Sequence, residues 1–181
     1  MSADTFPKLL IEQAKKYGNK KVALREKDYG IWQSTTWAEY LEKVKYFSLG
    51  LISLGFEPDD KISIIGDNKP EWVIAELAAQ AAGGFGVGIY QDSILKEVAY
   101  IINHSESKFV VAEDQEQVDK ILDMLEDVPG VKKIIYYDPK GLRTYKSDML
   151  LYFPDVIEMG REYEKSHPGL FEKNVENTKS E

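Results

Sequence analysis

Short apolar segments alternate with amphipathic helical patterns between residues 61 and 137, and this alternation limits the fold more than any other feature of the sequence. The apolar segments are rich in branched residues, as buried strands are, and cover residues 61–65, 85–90, 108–112 and 131–137. Strands that are joined by helices pair in parallel through right-handed crossovers. The sequence therefore predicts an α/β fold with a mainly parallel, doubly wound sheet and flanking helices.

The residues before this alternation predict a helix, a hairpin and a second helix. Residues 4–17 have helical spacing, and residues 22–24 and 30–32 predict two short strands around the turn Asp28-Tyr29-Gly30. The T-x-x-E pattern of Thr36 and Glu39 is a capping box, which places a helix start at Trp37. Similar signals predict that Asn68, Ser93 and Asp114 cap the three helices between the strands.

The pattern becomes weaker after residue 138. Residues 141–153 predict a loop, residues 154–165 predict one more short helix, and residues 172–181 are polar without periodicity. We therefore predict one domain over residues 4–165, followed by a polar tail or linker over residues 166–181.

Composition excludes several classes of function. Asp and Glu (31) outnumber Lys and Arg (23), and the net charge of −8 argues against a nucleic-acid partner, which needs a basic face. The absence of cysteine excludes disulfides, thiolate nucleophiles and Cys-ligated zinc. Residues 1–4 lack a basic start and an apolar core, so no secretion signal is expected, and we predict a soluble, cytoplasmic protein.

The residues that most often carry chemistry have simpler structural interpretations. The glycines between Gly83 and Gly88 close a helix and open a strand, whereas a phosphate-binding glycine loop follows a strand and opens a helix. We interpret them as a helix end and close-packing positions. His104 and His167 lie near a helix end and in a turn, and the carboxylates from Glu113 to Asp119 are expected to face solvent.

Two loops follow strands and are better placed to contact a ligand. They are Gly66-Asp67-Asn68 and Tyr90-Gln91-Asp92, and ligands of doubly wound folds bind beyond the carboxyl ends of strands. Asp67 and Asn68 are also ordinary capping residues. Capping and ligand contact both remain open for this loop.

The stretch GDNKPEWVIAELA at residues 66–78 resembles the N-terminal region of AMP-forming acyl-CoA synthetases, in the adenylate-forming ligase superfamily. The resemblance continues through VGIYQDS at 87–93, EVAYIINHS at 97–105 and VVAEDQEQVDK at 110–120. The resemblance extends over residues 4–165, and the sequence of these stretches is most similar to those of bacterial long-chain fatty-acid–CoA ligases.

This resemblance implies that the chain is the N-terminal part of the large domain of such an enzyme. The complete enzymes activate a fatty acid with ATP and Mg²⁺ to an acyl-adenylate and then transfer the acyl group to CoA. The family's phosphate loop, adenylate motif, hinge acid and catalytic lysine have no matching position here, so no catalytic, cofactor-binding or metal-binding residue is assigned and the chain alone is expected to be inactive. Asn68, Trp72 and Tyr90 are our candidates for lining the substrate pocket.

Two other functions compete with this interpretation. One is a non-catalytic binding module derived from the ligase family, and the other is a nucleotide-binding regulator that uses the loops at residues 66–68 and 90–92. The partners that we expect are a fatty acid, ATP and CoA in the complete enzyme, with no nucleic acid. Peripheral membrane contact, a homodimer and association with the missing part of the ligase are further expectations.

Overall fold

The computed structural model describes residues 3–180. Residues 1 and 2, in the stretch predicted to lack a secretion signal, and residue 181, the end of the predicted tail, lie outside the described residues. The α-helices are α1 (Phe6–Tyr17), α2 (Trp37–Ser53), α3 (Pro70–Ala81), α4 (Leu95–Ser105), α5 (Gln115–Asp123), α6 (Phe153–Ser166) and α7 (Leu170–Asn177). The strands are β1 (Val22–Asp28), β2 (Ile31–Thr36), β3 (Lys61–Ile65), β4 (Phe85–Ile89), β5 (Ser107–Ala112), β6 (Lys133–Tyr136) and β7 (Leu150–Tyr152).

A five-stranded parallel sheet in the order β4-β3-β5-β6-β7 forms the centre of the fold. Side chains alternate across it, so that Ile64 and Val111 belong to one apolar core and Ile65 and Val110 to the other. Helices α1, α2, α3, α6 and α7 cover the first face, and α4 and α5 cover the second. The prediction of an α/β, parallel, doubly wound sheet with flanking helices is confirmed.

The β1–β2 hairpin forms a separate antiparallel pair beside this sheet. It leads into α2 through the predicted capping box. Thr36 Oγ1 accepts the backbone N–H of Glu39 at 3.3 Å, and Glu39 Oε2 accepts the backbone N–H of Thr36 at 2.7 Å. The Asp114 cap is also confirmed, since its Oδ1 accepts the N–H of Gln117 at 3.2 Å.

The predicted caps at Asn68 and Ser93 are wrong. Helix α3 begins after Lys69 and helix α4 after Ile94, and neither of these residues makes a side-chain cap. Pro70 has no N–H, which leaves α3 with one donor fewer to satisfy in its first turn. The absence of a cap leaves the polar side chain of Asn68 at the surface.

The chain after residue 138 is more ordered than the sequence predicts. The predicted loop at 141–153 contains β7, which pairs with β6, and the helix predicted at 154–165 is present as α6. Glycines at the α2–α6 crossing let the backbones touch, because a Cβ at Gly160 would overlap the carbonyl of Tyr46.

The prediction of a polar tail without structure is wrong over residues 170–177. These residues form α7, whose Phe171 and Val175 are buried in the core on the first face of the sheet. Lys8 Nζ also donates to the carbonyl of Thr178 at 2.7 Å, which holds the end of α7 against α1. The division into a domain at 4–165 and a segment at 166–181 stays a prediction.

Over residues 3–180, no helix is both long enough and apolar enough to cross a membrane.

Candidate functional site

The carboxyl ends of β3, β5 and β6 meet at one edge of the sheet, and the loops that follow them form a polar cluster. The chain leaves β3 toward β4 on one side and returns through α4 to β5 on the other side of β3. The strand order therefore reverses between β3 and β5, which is where ligands of doubly wound folds bind.

Glu113 joins the loops at this edge. It directly follows β5 and is only 8% exposed. One carboxylate oxygen accepts the backbone N–H of Asp67 at 2.6 Å, and the other lies 3.3 Å from Lys69 Nζ. Glu113 thus fixes the loop between β3 and α3 at two points.

Lys69 is held between two carboxylates. Its ammonium also lies 3.9 Å from Glu26 of the hairpin, so that hairpin, α3 and β5 are connected through one side chain. Burial opposes the charge of the ammonium, but the hydrogen bond and charge of Glu113, with Glu26 and Asp138, outweigh this and raise the pKa of Lys69. Lys69 is therefore a fixed cation.

Gly66 makes the close approach of these loops possible. Its φ of 151° is a conformation that favours glycine, and a Cβ there would overlap the Tyr137 hydroxyl and lie 2.6 Å from Glu113 Cβ. A larger residue would push the strand ends apart.

Tyr137 lies beneath this loop without a hydrogen-bond partner for its hydroxyl among the described residues. Burial first, and then the negative charges of Glu113, Glu71 and nearby Asp residues, raise the pKa of Tyr137 well above its ordinary value. The hydroxyl therefore stays protonated, and it cannot act as a base at neutral pH.

The predicted pocket residues Asn68, Trp72 and Tyr90 lie along one groove at the ends of β3 and β4. The groove has a volume of about 440 Å³ and is also lined by Gly66, Asp67, Gly88, Ile89, Gln91 and Asp92. A Cβ at Gly88 would come within 3.0 Å of Trp72 Cζ2, so the indole rests on the backbone of β4. Tyr90 is 88% exposed at the rim. The role of the three residues in binding substrate stays a prediction.

The other candidate residues have the structural roles expected from the sequence, with two exceptions. Gly83 follows α3 with a φ of 89°, and Gly84 and Gly86 are close-packing positions. His104 stacks on Tyr100 and His167 on Tyr163. The exceptions are Asp119, which is half-buried and accepts a hydrogen bond from the Tyr145 hydroxyl, and Glu113, which is buried rather than facing solvent. Its position directly after a buried strand, the rule that identified Asp67, would have identified it.

ATP phosphates do not fit the loop between β3 and α3. The N–H of Asp67 and the ammonium of Lys69, which could hold a phosphate, already bind Glu113, and its carboxylate brings a negative charge to that position. Between residues 3 and 180 no group of three His, Cys, Asp or Glu side chains could hold a metal ion. Among the described residues, the loop between β3 and α3 therefore leaves no free phosphate-binding group, and no metal-binding cluster lies beside it.

The fold is that of adenylate-forming enzymes. A putative long-chain-fatty-acid CoA ligase from Rhodopseudomonas palustris superposes with a TM-score of 0.70 at 20% identity, covering 84% of this chain and 36% of that one. Acetoacetyl-CoA synthetase from Streptomyces lividans superposes with a TM-score of 0.74 at 21% identity, covering 83% and 24%. At these identities the likeness shows the fold alone.

The sequence comparisons give the family. The family model described as AMP-binding enzyme matches residues 10–157, so the chain belongs to the AMP-binding enzyme family. It is 33% identical over 158 residues to the long-chain-fatty-acid–CoA ligase ACSBG2 of Xenopus laevis, covering 87% of this chain and 21% of the relative. It is 29% identical over 161 residues to ACSBG1 of Rattus norvegicus, covering 87% and 22%. The chain spans about a fifth of the length of these relatives.

Proposed function

We propose that this chain is the N-terminal part of the large domain of a long-chain fatty-acid–CoA ligase, and that it contributes structure and one pocket wall to the complete enzyme. The observation that carries the proposal is the similarity, over 86–87% of this chain, to relatives named as long-chain-fatty-acid–CoA ligases. The groove beyond the carboxyl ends of β3 and β4, beside the switch point between β3 and β5, supports it.

In the complete enzyme, ATP would supply the adenylyl group that activates the carboxylate of the fatty acid, Mg²⁺ would neutralise phosphate charge, and CoA would accept the acyl group. No residue of this chain is assigned to those steps, because the loop that could hold a phosphate is already neutralised by Glu113. The groups that bind ATP, Mg²⁺ and CoA are therefore proposed to lie outside the chain, which alone would be inactive. Its cytoplasmic location and any homodimer stay predictions.

Within the complete enzyme, we assign the groove residues a packing role. Trp72 and Tyr90 would present aromatic surface to the acyl chain, and Asn68 would offer a hydrogen bond at the open end. Gly88 keeps Trp72 flat against β4, so the width of the groove depends on it. These residues would affect how the substrate binds rather than the chemical step.

An exchange of segments tests the proposal. This chain replaces the matching segment of the Xenopus relative, and formation of palmitoyl-CoA from palmitate, ATP and CoA is measured. The control chimera carries the same segment of the human ACSBG2, which is 30% identical to this chain over 158 residues. We expect both chimeras to be active, and we expect Gly88→Val in the first to raise KM for palmitate more than it lowers kcat, because Trp72 is displaced into the groove.

A folded chimera that forms no palmitoyl-CoA, beside an active control chimera, would contradict the ligase assignment. Binding of ATP to the 181-residue chain at micromolar concentration would instead favour a nucleotide-binding regulator. An unchanged KM for palmitate in Gly88→Val would refute the role of the groove while leaving the family function intact.

A further inference from the structure

The β1–β2 hairpin and the chain that leads into it form a basic surface on an acidic protein. Between residues 15 and 27 there are six basic residues and one acidic residue, Glu26, although the whole chain carries a net charge of −8. All six basic residues are exposed, and they are Lys15, Lys16, Lys20, Lys21, Arg25 and Lys27. Positive charge is thus concentrated in one short segment.

The register of the hairpin places basic and aromatic side chains on the same face. Lys27 pairs with Trp32 and Arg25 with Ser34, and residues that pair across two strands project from one face. Glu26 lies on the opposite face, which turns toward the body of the protein, and its carboxylate lies 3.9 Å from Lys69 Nζ. Asp28, the next acidic residue of β1, pairs with Ile31 and lies on the same face as Glu26, so both carboxylates are directed away from the basic face.

The tip of the hairpin exposes a group of apolar side chains. Tyr29, Ile31 and Trp32 are 82%, 66% and 62% exposed. Tyr29 and Gly30 both have positive φ, at 45° and 82°, so the tip is a tight turn that presents these side chains outward. Aromatic side chains next to lysine and arginine are typical of surfaces that contact the headgroup region of membranes.

The basic residues of this segment are free to bind an external anion. Among residues 3–180, none of the six lies within 4.0 Å of a carboxylate. Lys16 and Lys21 lie 5.1 Å and 4.4 Å from the centre of the Tyr17 ring, which neutralises no charge. We define the hairpin surface as Lys20, Lys21, Arg25, Lys27, Tyr29 and Trp32.

We propose that the hairpin surface docks on an anionic lipid bilayer. The basic side chains match the negative headgroups, and Tyr29 and Trp32 match the apolar layer beneath them. A nucleic acid or an acidic protein would satisfy the charges but offers no acyl layer for a tyrosine and a tryptophan at a hairpin tip. Complementarity in both charge and polarity therefore favours a membrane.

When the hairpin surface faces the bilayer, the candidate groove lies close to the lipid. The hairpin contacts the carboxyl edge of the sheet through Glu26 and Lys69, and Lys140 lies 5.3 Å from the centre of the Tyr29 ring. The groove opens at the same edge. The proposal does not rest on the ligase activity, because binding to vesicles requires no turnover.

Vesicle flotation with the full 181-residue chain tests whether the basic side chains of the hairpin surface bind anionic lipid. We expect binding to vesicles of phosphatidylcholine with phosphatidylglycerol, weak binding to phosphatidylcholine alone, and loss of binding at high salt. The double variant Arg25→Gln, Lys27→Gln should show partitioning weakened roughly twenty-five-fold, since each basic residue near an anionic surface contributes about a factor of five. The control pair Lys96→Gln with Lys173→Gln removes the same charge from exposed positions elsewhere and should change little.

Fluorescence tests the apolar contact. Vesicles whose lipids carry brominated acyl chains should quench the tryptophan fluorescence of the wild-type protein. They should quench that of the Trp32→Phe variant much less, although Trp37 and Trp72 remain. Equal loss of vesicle binding in the two double variants, or fluorescence quenching that does not depend on Trp32, would overturn the proposal. So would binding to single-stranded DNA without binding to anionic vesicles, which would show that the surface recognises polyanions in general. Circular dichroism of each variant checks that it is folded.

Discussion

At the scale of single residues, the polar cluster at the end of the sheet depends on side chains that are buried and only partly satisfied. Glu113 satisfies the Asp67 amide and pairs with Lys69, whereas the Tyr137 hydroxyl beside it has no partner within the described chain. A buried hydroxyl without a hydrogen bond reduces stability, because it has lost its contacts with water.

Tyr137→Phe should therefore stabilise the protein. Removing the unpaired hydroxyl while keeping the ring is expected to raise the free energy of unfolding by about 1 kcal/mol. Tyr145→Phe is the matched control, because the Tyr145 hydroxyl donates to Asp119 at 2.6 Å and accepts from Gln115 at 2.9 Å. Urea unfolding should show opposite changes in the two variants, and a destabilised Tyr137→Phe protein would mean that the hydroxyl has a partner, such as a buried water.

Glu71 should make stability depend on pH. Burial first, with a contribution from the charge of Glu26, raises the pKa of the Glu71 carboxyl above its ordinary value of 4.5. Between 4.5 and the raised pKa the folded protein holds more protons than the unfolded chain, so this group makes stability fall as pH rises through that range. The Glu71→Gln variant has no carboxyl to ionise at this position, so it does not lose this stability as the pH rises.

The expected result is that Glu71→Gln is more stable than the wild type at neutral pH and that the difference disappears below the ordinary pKa of the carboxyl. Urea midpoints measured across the acidic range check this. Glu116→Gln, at an exposed position, is the control. A difference that stays constant with pH would show that ionisation of Glu71 is not the cause.

At the scale of elements, α7 joins the core through two side chains. Phe171 is 2% exposed and packs in the core on the first face of the sheet, together with Val175. Phe171→Ala should lower the free energy of unfolding by about 3 kcal/mol, the usual cost of removing a buried phenyl ring. Glu176→Ala, on the exposed face of the same helix, should change it little. Equal and small effects would mean that α7 is detached in solution.

The sequence predicts elements well where local signals and the final packing agree. The alternation at 61–137, the Thr36 capping box and the Asp114 cap all depend on residues close in sequence, and all are confirmed. Helix α7 was missed because it has only two buried residues in eight, a pattern too short and too polar to recognise before its neighbours are known. The Asn68 cap failed because α3 begins one residue later, after Lys69, whose side chain pairs with Glu113 and Glu26. Helix α4 also begins one residue later than predicted, after Ile94.

The candidate site could be predicted only in part for the same reason. The rule that ligands bind beyond strand ends led to Asn68 and Tyr90, which do line one groove with Trp72. Glu113 was missed because a run of acidic residues resembles a solvated helix face. Its burial arises from Asp67 and Lys69, which are more than forty residues earlier in the chain.

At the scale of the whole molecule, the chain is a layered unit with a groove on one edge and a basic hairpin beside it. It spans about a fifth of the length of its curated relatives, and its described residues provide neither a phosphate-binding loop nor a metal-binding group. We therefore keep as a proposal that the chain supplies scaffold and a pocket wall, and that the adenylation chemistry depends on residues outside it.

The most direct measurement is an assay of the purified 181-residue chain for palmitoyl-CoA formation and AMP release from palmitate, ATP and CoA, with the active chimera as the positive control. We expect no turnover by the chain and turnover by the chimera. Turnover by the chain above the level of a preparation from cells lacking its gene would contradict the proposal, because the described residues would then contain a complete active site.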